Sequence, residues 1–411
     1  MAGNTNTPSP SPAMVGSPTV GPAPLQPQGG GAAIPFRIAT LERQDVIGQT
    51  SLLPGAAEQI SDNPLPGTGY MYELDLFCNA PASGNSVTTI AYAEDAPYSA
   101  VSSVILGDVT GQIINLDGWS LKQIGKYGGW EPFNEESSAD TTNIFNKSTA
   151  TGSTGGTFTF HLKVPVGINR RDLVAILGNQ DRSQQYTIRH NVNASANIYA
   201  TAPTTVPTLT ITRNYGSYAV PNASNEQGQP NQSVPNTYGV ISYLTKTIAD
   251  APPVPSSQVT HFVRRVGNAL RGVMLVFRAG TGATPRSVAE GAMPTNIKFK
   301  VGDQIIYNES TARRRGMMFD RYGFDPPGGQ ATVGTSGAFP ANGGGVLHYD
   351  FIHDSWQFAG SEFYHDWLWT EAVVQAQFLI TYPSGFTAGG SLTFVTSDVI
   401  VPPGTPLYSP I

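Results

Sequence analysis

The chain has 411 residues, of which 45 are Gly and 33 are Pro, a turn-former share well above the roughly 12% usual in globular chains, so long helical architectures are excluded. Charged residues make up 13% and hydrophobic residues 39%, too little charge for a disordered polyelectrolyte and enough apolar side chain for a core. The net charge of -6, from 23 basic and 29 acidic residues, gives no electrostatic reason to coat nucleic acid, and direct nucleic acid binding is not expected.

Residues 1–36 carry no charged side chain before Arg37 and lack the basic start and apolar block of a secretory signal. Pro stands at positions 8, 10, 12, 18, 22, 24, 27 and 35, which removes backbone donors and biases the segment to extended conformations. It reads as an arm, either a disordered tail or a segment that orders against a neighbouring subunit. No apolar run along the chain reaches the eighteen or so residues that cross a bilayer. The single cysteine, Cys78, excludes intrachain disulfides and Cys-rich zinc sites, and is expected to be a small buried residue.

From Arg37 onward, short apolar runs punctuated by Gly, Pro, Asn and Ser predict an all-β protein. The cleanest strand is Thr157–Val166, with Phe158, Phe160, Leu162, Val164 and Val166 on one face and Thr159, His161 and Lys163 on the other. Weaker runs are 70–78, 209–213, 238–247, 272–277, 296–301, 346–352, 373–382 and 392–400. Two short helices are expected. One is capped by Asn169 and stops at Gly178; the other opens at Ser310 or Thr311 and runs to about Phe319.

The organisational signal is an internal duplication. Gly107-Asp108 is followed twenty residues later by Tyr127-Gly128, and Gly302-Asp303 by Tyr322-Gly323, both pairs offset by 195 residues. A looser echo relates 158–165 to 376–383. The expected organisation is an extended arm over 1–36, a first β domain over 37–218, a polar connector over 219–237, a second β domain over 238–402 and a tail over 403–411.

TFTFHLKVPVGINRRDLVAILGNQDRSQQYTIRHNV, residues 157–192, has the order strand, Val-Pro, short helix, Leu-Gly-Asn, Gln-rich turn, strand. It resembles the late first-barrel segment of tectivirus-type double jelly-roll major capsid proteins. Residues 93–119, where an apolar strand and a polar turn precede a Gly-Trp pair, and residues 206–221 are similar to flanking parts of the same barrel. The resemblance covers roughly 90–221 and implies two tandem eight-stranded jelly rolls with a few short helices. It further implies a homotrimeric, pseudo-hexagonal capsomer tiling the icosahedral shell of an internal-membrane double-stranded DNA virus, expected to be a bacteriophage. Implied partners are further copies of the chain, vertex (penton) and minor capsid proteins, and the internal membrane; the implied location is the virion shell. The uncharged, Pro-rich arm departs from the amphipathic helix that members of the family place at the membrane.

Chemistry-bearing residues are sparse. His348, Asp350, His353, Asp354, Glu362, His365 and Asp366 include divalent-cation ligand types, but on a strand His348 and Asp350 share a face while His353 points away, so structural hydrogen bonding is the preferred reading. Glu362 and Asp366 near Trp356, Trp367 and Trp369 supply the rival function, a β-sandwich carbohydrate-binding protein or glycosidase using the cluster near 356–371. No GxSxG elbow, HExxH or phosphate-loop pattern occurs. Arg264-Arg265 and Arg313–Arg315 are expected to pair with carboxylates across subunits or to be solvated. Five Asn-x-Ser sequons, at Asn146, Asn193, Asn222, Asn231 and Asn308, are expected by chance. No catalytic, cofactor or metal site is assigned, and no enzymatic reaction is expected.

Overall fold

The computed structural model describes residues 33–52, 58–81, 89–130, 146–147, 150–152, 155–168, 173–180, 185–235, 238–280, 286, 292–322, 345–352, 367–370 and 375–401. Eight principal strands occupy the first half of the chain: β1 (Glu42–Leu52), β2 (Glu58–Pro64), β3 (Gly69–Ala80), β4 (Val101–Gly107), β5 (Gln112–Leu116), β6 (Phe158–Pro165), β7 (Thr187–Val192) and β8 (Leu209–Tyr218). Eight more follow: β9 (Ile241–Ile248), β10 (Gln258–Val263), β11 (Ala269–Arg278), β12 (Asn296–Val301), β13 (Gln304–Glu309), β14 (Val346–Asp350), β15 (Ala376–Thr381) and β16 (Ser391–Ile400). Helix α1 (Phe36–Ala39) precedes β1, α2 (Gly118–Tyr127) follows β5, and α3 (Thr311–Tyr322) follows β13.

Both halves obey one wiring rule. In the first, the two sheets run β1-β8-β3-β6 and β2-β7-β4-β5; in the second they run β9-β16-β11-β14 and β10-β15-β12-β13. Adding eight to each label converts the first barrel into the second, and the non-sequential neighbours are the Greek-key crossovers of a jelly roll. The fold is therefore a double jelly roll. One parallel pairing occurs among the described strands, Leu244 with Ile114 and Thr245 with Asn115, and it joins edge strand β5 of the first barrel to edge strand β9 of the second. The inner sheets of both barrels thereby become one nine-stranded sheet.

Alternation fills the two cores. On β6, Phe158, Phe160, Leu162 and Val164 are buried while Thr159, His161 and Lys163 are half-exposed, as the sequence period demands. They meet Leu74, Leu76 and Cys78 from β3 and Ile188 from β7. In the second barrel Val273, Leu275 and Phe277 of β11 meet Phe299, Phe378 and Phe394, whose rings stack at 4.6 and 5.9 Å about Phe378. Truncating any one of these phenylalanines to Ala removes transfer energy and leaves a cavity, about 3–5 kcal/mol. All ten residues of β11 are buried, so this strand is covered on its outer face as well.

The 195-residue offset marks real counterparts. Gly107 ends β4 and Gly302 directly follows β12, while Tyr127 and Tyr322 are the last residues of α2 and α3. The third strands share a further irregularity. Tyr72 bulges from β3 between Met71 and Glu73, and Arg271 bulges from β11 between Leu270 and Gly272, each opposite the last-formed strand of its barrel.

Two expectations fail. The looser echo is not a repeat, because 158–165 forms β6, whose counterpart is β14, whereas 376–383 contributes β15, the counterpart of β7; both are half-buried strands and share only that alternation. Nor is there a helix over the described part of 169–178. Leu173 and Ala175 take positive φ (57° and 63°), and Leu177–Asn179 pairs with β3. Leu173 through Leu177 are all buried, so the residues have no exposed face for an amphipathic helix to present. The later helix is as expected at its start, where the Ser310 hydroxyl accepts from Arg313 N–H at 3.2 Å.

Residues 1–32 and 402–411 lie outside the described segments, but the end of the arm is placed. Ile34 bridges Asn231 in the polar connector, Phe36 N–H donates to the Gln232 side chain at 3.2 Å, and the Phe36 ring packs edge-on against Tyr70. Ile34 and Phe36 are thus held by their own chain.

Candidate functional site

The chemistry of the described residues concentrates at the seam between the barrels, and α2 is its centre. Asp117 caps the helix, accepting from Ser120 N–H at 2.8 Å and from the Ser120 hydroxyl at 2.8 Å. Burial works against the Asp117 carboxylate, but Lys246 and the Ser120 donors outweigh it and hold its pKa below the usual value. Gly118 is required by closeness, since a Cβ there would lie 2.4 Å from the Tyr98 carbonyl oxygen. Every residue of α2 is buried, Lys122, Gln123 and Lys126 included.

The second barrel grips this helix along its length. Lys246 of β9 donates to Asp117 at its N-terminus (2.5 Å). Arg271 of β11 donates to the Gly128 carbonyl at its C-terminus (3.1 Å) and lies 4.5 Å over the Trp130 ring, so a cation meets the negative end of the helix dipole. Between them, the Arg278 and Arg286 guanidiniums face Trp119 at 5.3 and 4.8 Å. Arg278 also donates to Asp95 at 2.6 Å, and Arg286 lies 3.2 Å from both Glu94 and Asp95. Burial raises the Glu94 pKa despite Arg286. Four cations of the second barrel thus meet acceptors or rings of the first.

The far end of the seam is aromatic. Tyr127 stacks on His348 (4.9 Å, 8°) and meets Tyr322 edge-on. The Tyr322 hydroxyl donates to Asp350 at 2.6 Å and sits 2.9 Å from His348 Nδ1. With its proton given to Asp350 the hydroxyl accepts from the imidazole, which assigns the Nδ1–H tautomer. Burial, then Arg314, Arg321 and Arg271, holds His348 well below its ordinary pKa, so the ring is neutral. Burial and Asp350 drive the Tyr322 hydroxyl well above its own.

Among the described residues, the counterparts of these docking elements expose apolar side chains. Edge strand β13 exposes Ile305 and Ile306, 56% and 39% exposed, and α3 exposes Met317. At the opposite flank, β1 is the free edge of its sheet and exposes Val46 at 67%, with Ile38 and Leu41 beside it. A groove of about 350 Å³ on that face is lined by Gln44, Asp45, Val46, Glu73, Asp75 and Asn214 among others.

His348 and Asp350 do share a face, joined through Tyr322; His353, Asp354, Trp356, Glu362, His365 and Asp366 lie outside the described residues. Among the described residues no group of three or more His, Cys, Asp or Glu converges, and no helix is long and apolar enough to cross a membrane. Trp367 is buried and Trp369 pairs with β11. Cys78 is buried, which pushes its thiol pKa up. The cross-subunit pairing expected of the arginines is corrected for Arg264, Arg265 and Arg314, while Arg313 is exposed, the solvated alternative. Arg265 binds Asp398 bidentately at 3.0 and 2.9 Å, Arg264 meets Asp250, and Arg314 meets Glu309 at 3.5 Å while donating twice to the His348 carbonyl. These partners are in the same chain, not across subunits, because the fold of the second barrel itself brings each carboxylate to its arginine. Sequence reasoning did not find α2, Asp95 or the seam arginines. The available signal was Asp117 followed by Ser120, Leu121 and Ile124, an N-cap and the start of an apolar stripe.

No family model and no curated protein matches the sequence. Comparison with solved structures does find matches. The STIV MCP superposes with a TM-score of 0.58 at 11% identity, covering 88% of this chain and 97% of that one. The PBCV-1 virus capsid gives 0.51 at 11% identity, covering 88% and 94%, and the Faustovirus major capsid protein 0.50 at 8% identity, covering 88% and 90%. The chain has the double jelly-roll fold of viral major capsid proteins.

Proposed function

We propose that this chain is the major capsid protein of an icosahedral virus, a structural subunit of the virion shell that catalyses no reaction. The observation that carries the reading is the eight-plus-eight wiring with its β5–β9 junction, a fold shared over 88% of the chain with the STIV MCP. Two similar barrels locked side by side give one subunit two similar outer walls. Three such subunits present six, so a closed threefold assembly can tile a near-hexagonal lattice. We assign the barrels to 37–218 and 238–402, the connector to 219–237, and the flanking arm and tail to 1–36 and 403–411. The working unit is a homotrimer. A tectivirus-like, internal-membrane virus of bacteria is the finer reading, resting on the residue pattern over 157–192, with penton and minor capsid proteins as further partners.

Sedimentation of the purified protein tests this directly. The expected species is a particle of three 43.6 kDa chains, pseudo-hexagonal in negative stain. A monomer at all concentrations that binds glycans would overturn the reading.

A further inference from the structure

Within the chain, β5 and α2 of the first barrel dock on the second: β5 pairs in parallel with β9, and α2 lies against β11. The wiring assigns each of these elements a counterpart. β13 and α3 correspond to β5 and α2, while β1 and β3 correspond to β9 and β11. The first set docks within the chain; among the described strands β1 and β13 each pair on one side only, while the last residue of α3, Tyr322, reaches the seam and meets Tyr127.

We propose that β13 and α3 of one copy dock on the β1–β8–β3 face of a second copy, with β13 continuing that sheet by parallel pairing with β1. The occupant is a second copy of this chain, and the assignment deepens the capsomer reading, on which it rests. Three observations carry it. Among the described strands both are sheet edges, and a free edge displays unpaired amides and carbonyls that another strand can satisfy. Both carry exposed apolar side chains, Val46 on β1 and Ile305 and Ile306 on β13, where a lone soluble domain would place Lys or Pro. The charges are complementary: the groove on the β1 face holds Asp45 and Glu73, and α3 presents exposed Arg313. The shared bulge sharpens the correspondence. Tyr72 on β3 occupies the bulge position of Arg271 on β11, covered by its own chain with its hydroxyl donating to Glu42. The contact is heterologous, one surface against a different one, so it closes a ring when the rotation between barrels divides a full turn.

The test uses the full chain carrying Val46→Cys and Ile306→Cys, both at exposed positions, with native Cys78 buried and out of reach. Mild oxidation is expected to give covalently linked trimers whose disulfide maps by peptide mass spectrometry to 46–306 between chains. Hydrogen exchange on the unaltered protein should show the amides of 42–52 and 304–309 protected in the trimer. Ile306→Lys should expose them by about tenfold or more and raise the concentration needed for association by a similar factor. Trimers that form with 46–46 or 306–306 links, or with none, overturn the pairing and leave the capsomer reading standing. Protection of 42–52 that survives Ile306→Lys assigns the β1 edge to the chain's own N-terminal arm and also overturns it. A chain that never associates overturns both.

Discussion

Tyr127 and Tyr322, which end the two equivalent helices 195 residues apart, meet edge to face with their ring centroids 5.3 Å apart. The duplication therefore closes on itself at the seam. Each copy of one repeated tyrosine contacts the other, and His348 is shared between them. Replacing Tyr127 by Ala should cost about 3–5 kcal/mol, and Tyr322→Phe, which removes the hydroxyl between His348 and Asp350, about 1–2 kcal/mol. Urea unfolding of the single and double variants checks this; contact between the rings predicts that the two costs do not add.

Asp95 accepts from the buried Arg278 guanidinium and forms an ion pair with that of Arg286. Asp95→Ala takes the carboxylate from Arg278 and leaves Arg286 with Glu94 as its carboxylate beside Trp119, a loss of about 3–5 kcal/mol. Adding Arg278→Met should recover part of it, since a buried cation without a counterion costs more than its absence. Thermal unfolding of the two variants decides. A double variant less stable than Asp95→Ala alone would contradict the argument.

Buried imidazoles set the acid limb. Burial, with Arg213 adding to it, brings His190 down to about 4, and burial brings His261 to about 4 against a weak opposing pull from Asp250. Unfolded, both return to the ordinary value near 6.5, so the unfolded chain binds the extra protons. Stability is then full above pH 6.5 and falls as the pH drops toward 4, by on the order of 3 kcal/mol per imidazole. Urea midpoints at several pH values between 7 and 4 should trace this decline. His190→Leu should flatten it while leaving the slope above pH 7 unchanged.

Gly118 tests how closely α2 must approach the first barrel. Its added methyl in Gly118→Ala would meet the Tyr98 carbonyl at 2.4 Å and the Val101 carbonyl at 3.0 Å, so the helix start must move although Ala favours helix by about 1 kcal/mol. A net loss of stability in chemical denaturation is expected, together with a shift in Trp119 fluorescence. A gain in stability would show that the helix can slide.

Much of this was legible in the residues because strands half buried in a core impose a period of two. Phe158 to Val166 read correctly for that reason, and Asn296–Val301 was bounded to the residue. Two of the strands that stayed hidden have surroundings that break the rule. β1 is a charged, exposed edge, and β13 shows apolar residues to solvent. Helix α2 was missed although Asp117 and Ser120 mark its start, because its apolar residues are few; Lys122, Gln123 and Lys126, polar in the sequence, are buried in the fold. The seam arginines lie far apart in sequence from Asp95, and only the packing of two barrels brings them to it. His353 and the carboxylates of the 356–371 cluster remain proposals of the sequence alone.

The register of β1 on β8 places Glu42 opposite Tyr218, and that of β9 on β16 places Ile241 opposite Ile400. During synthesis β1, whose partner among the described strands is β8, must therefore wait for the last strand of its barrel, whereas β9 already has β5. At some 5–20 residues per second a nascent chain carries an open β1 edge for many seconds before its partner emerges. Neighbouring ribosomes on one message would hold such edges side by side, and the delay becomes a hazard of crowding that the cell meets before any shell exists.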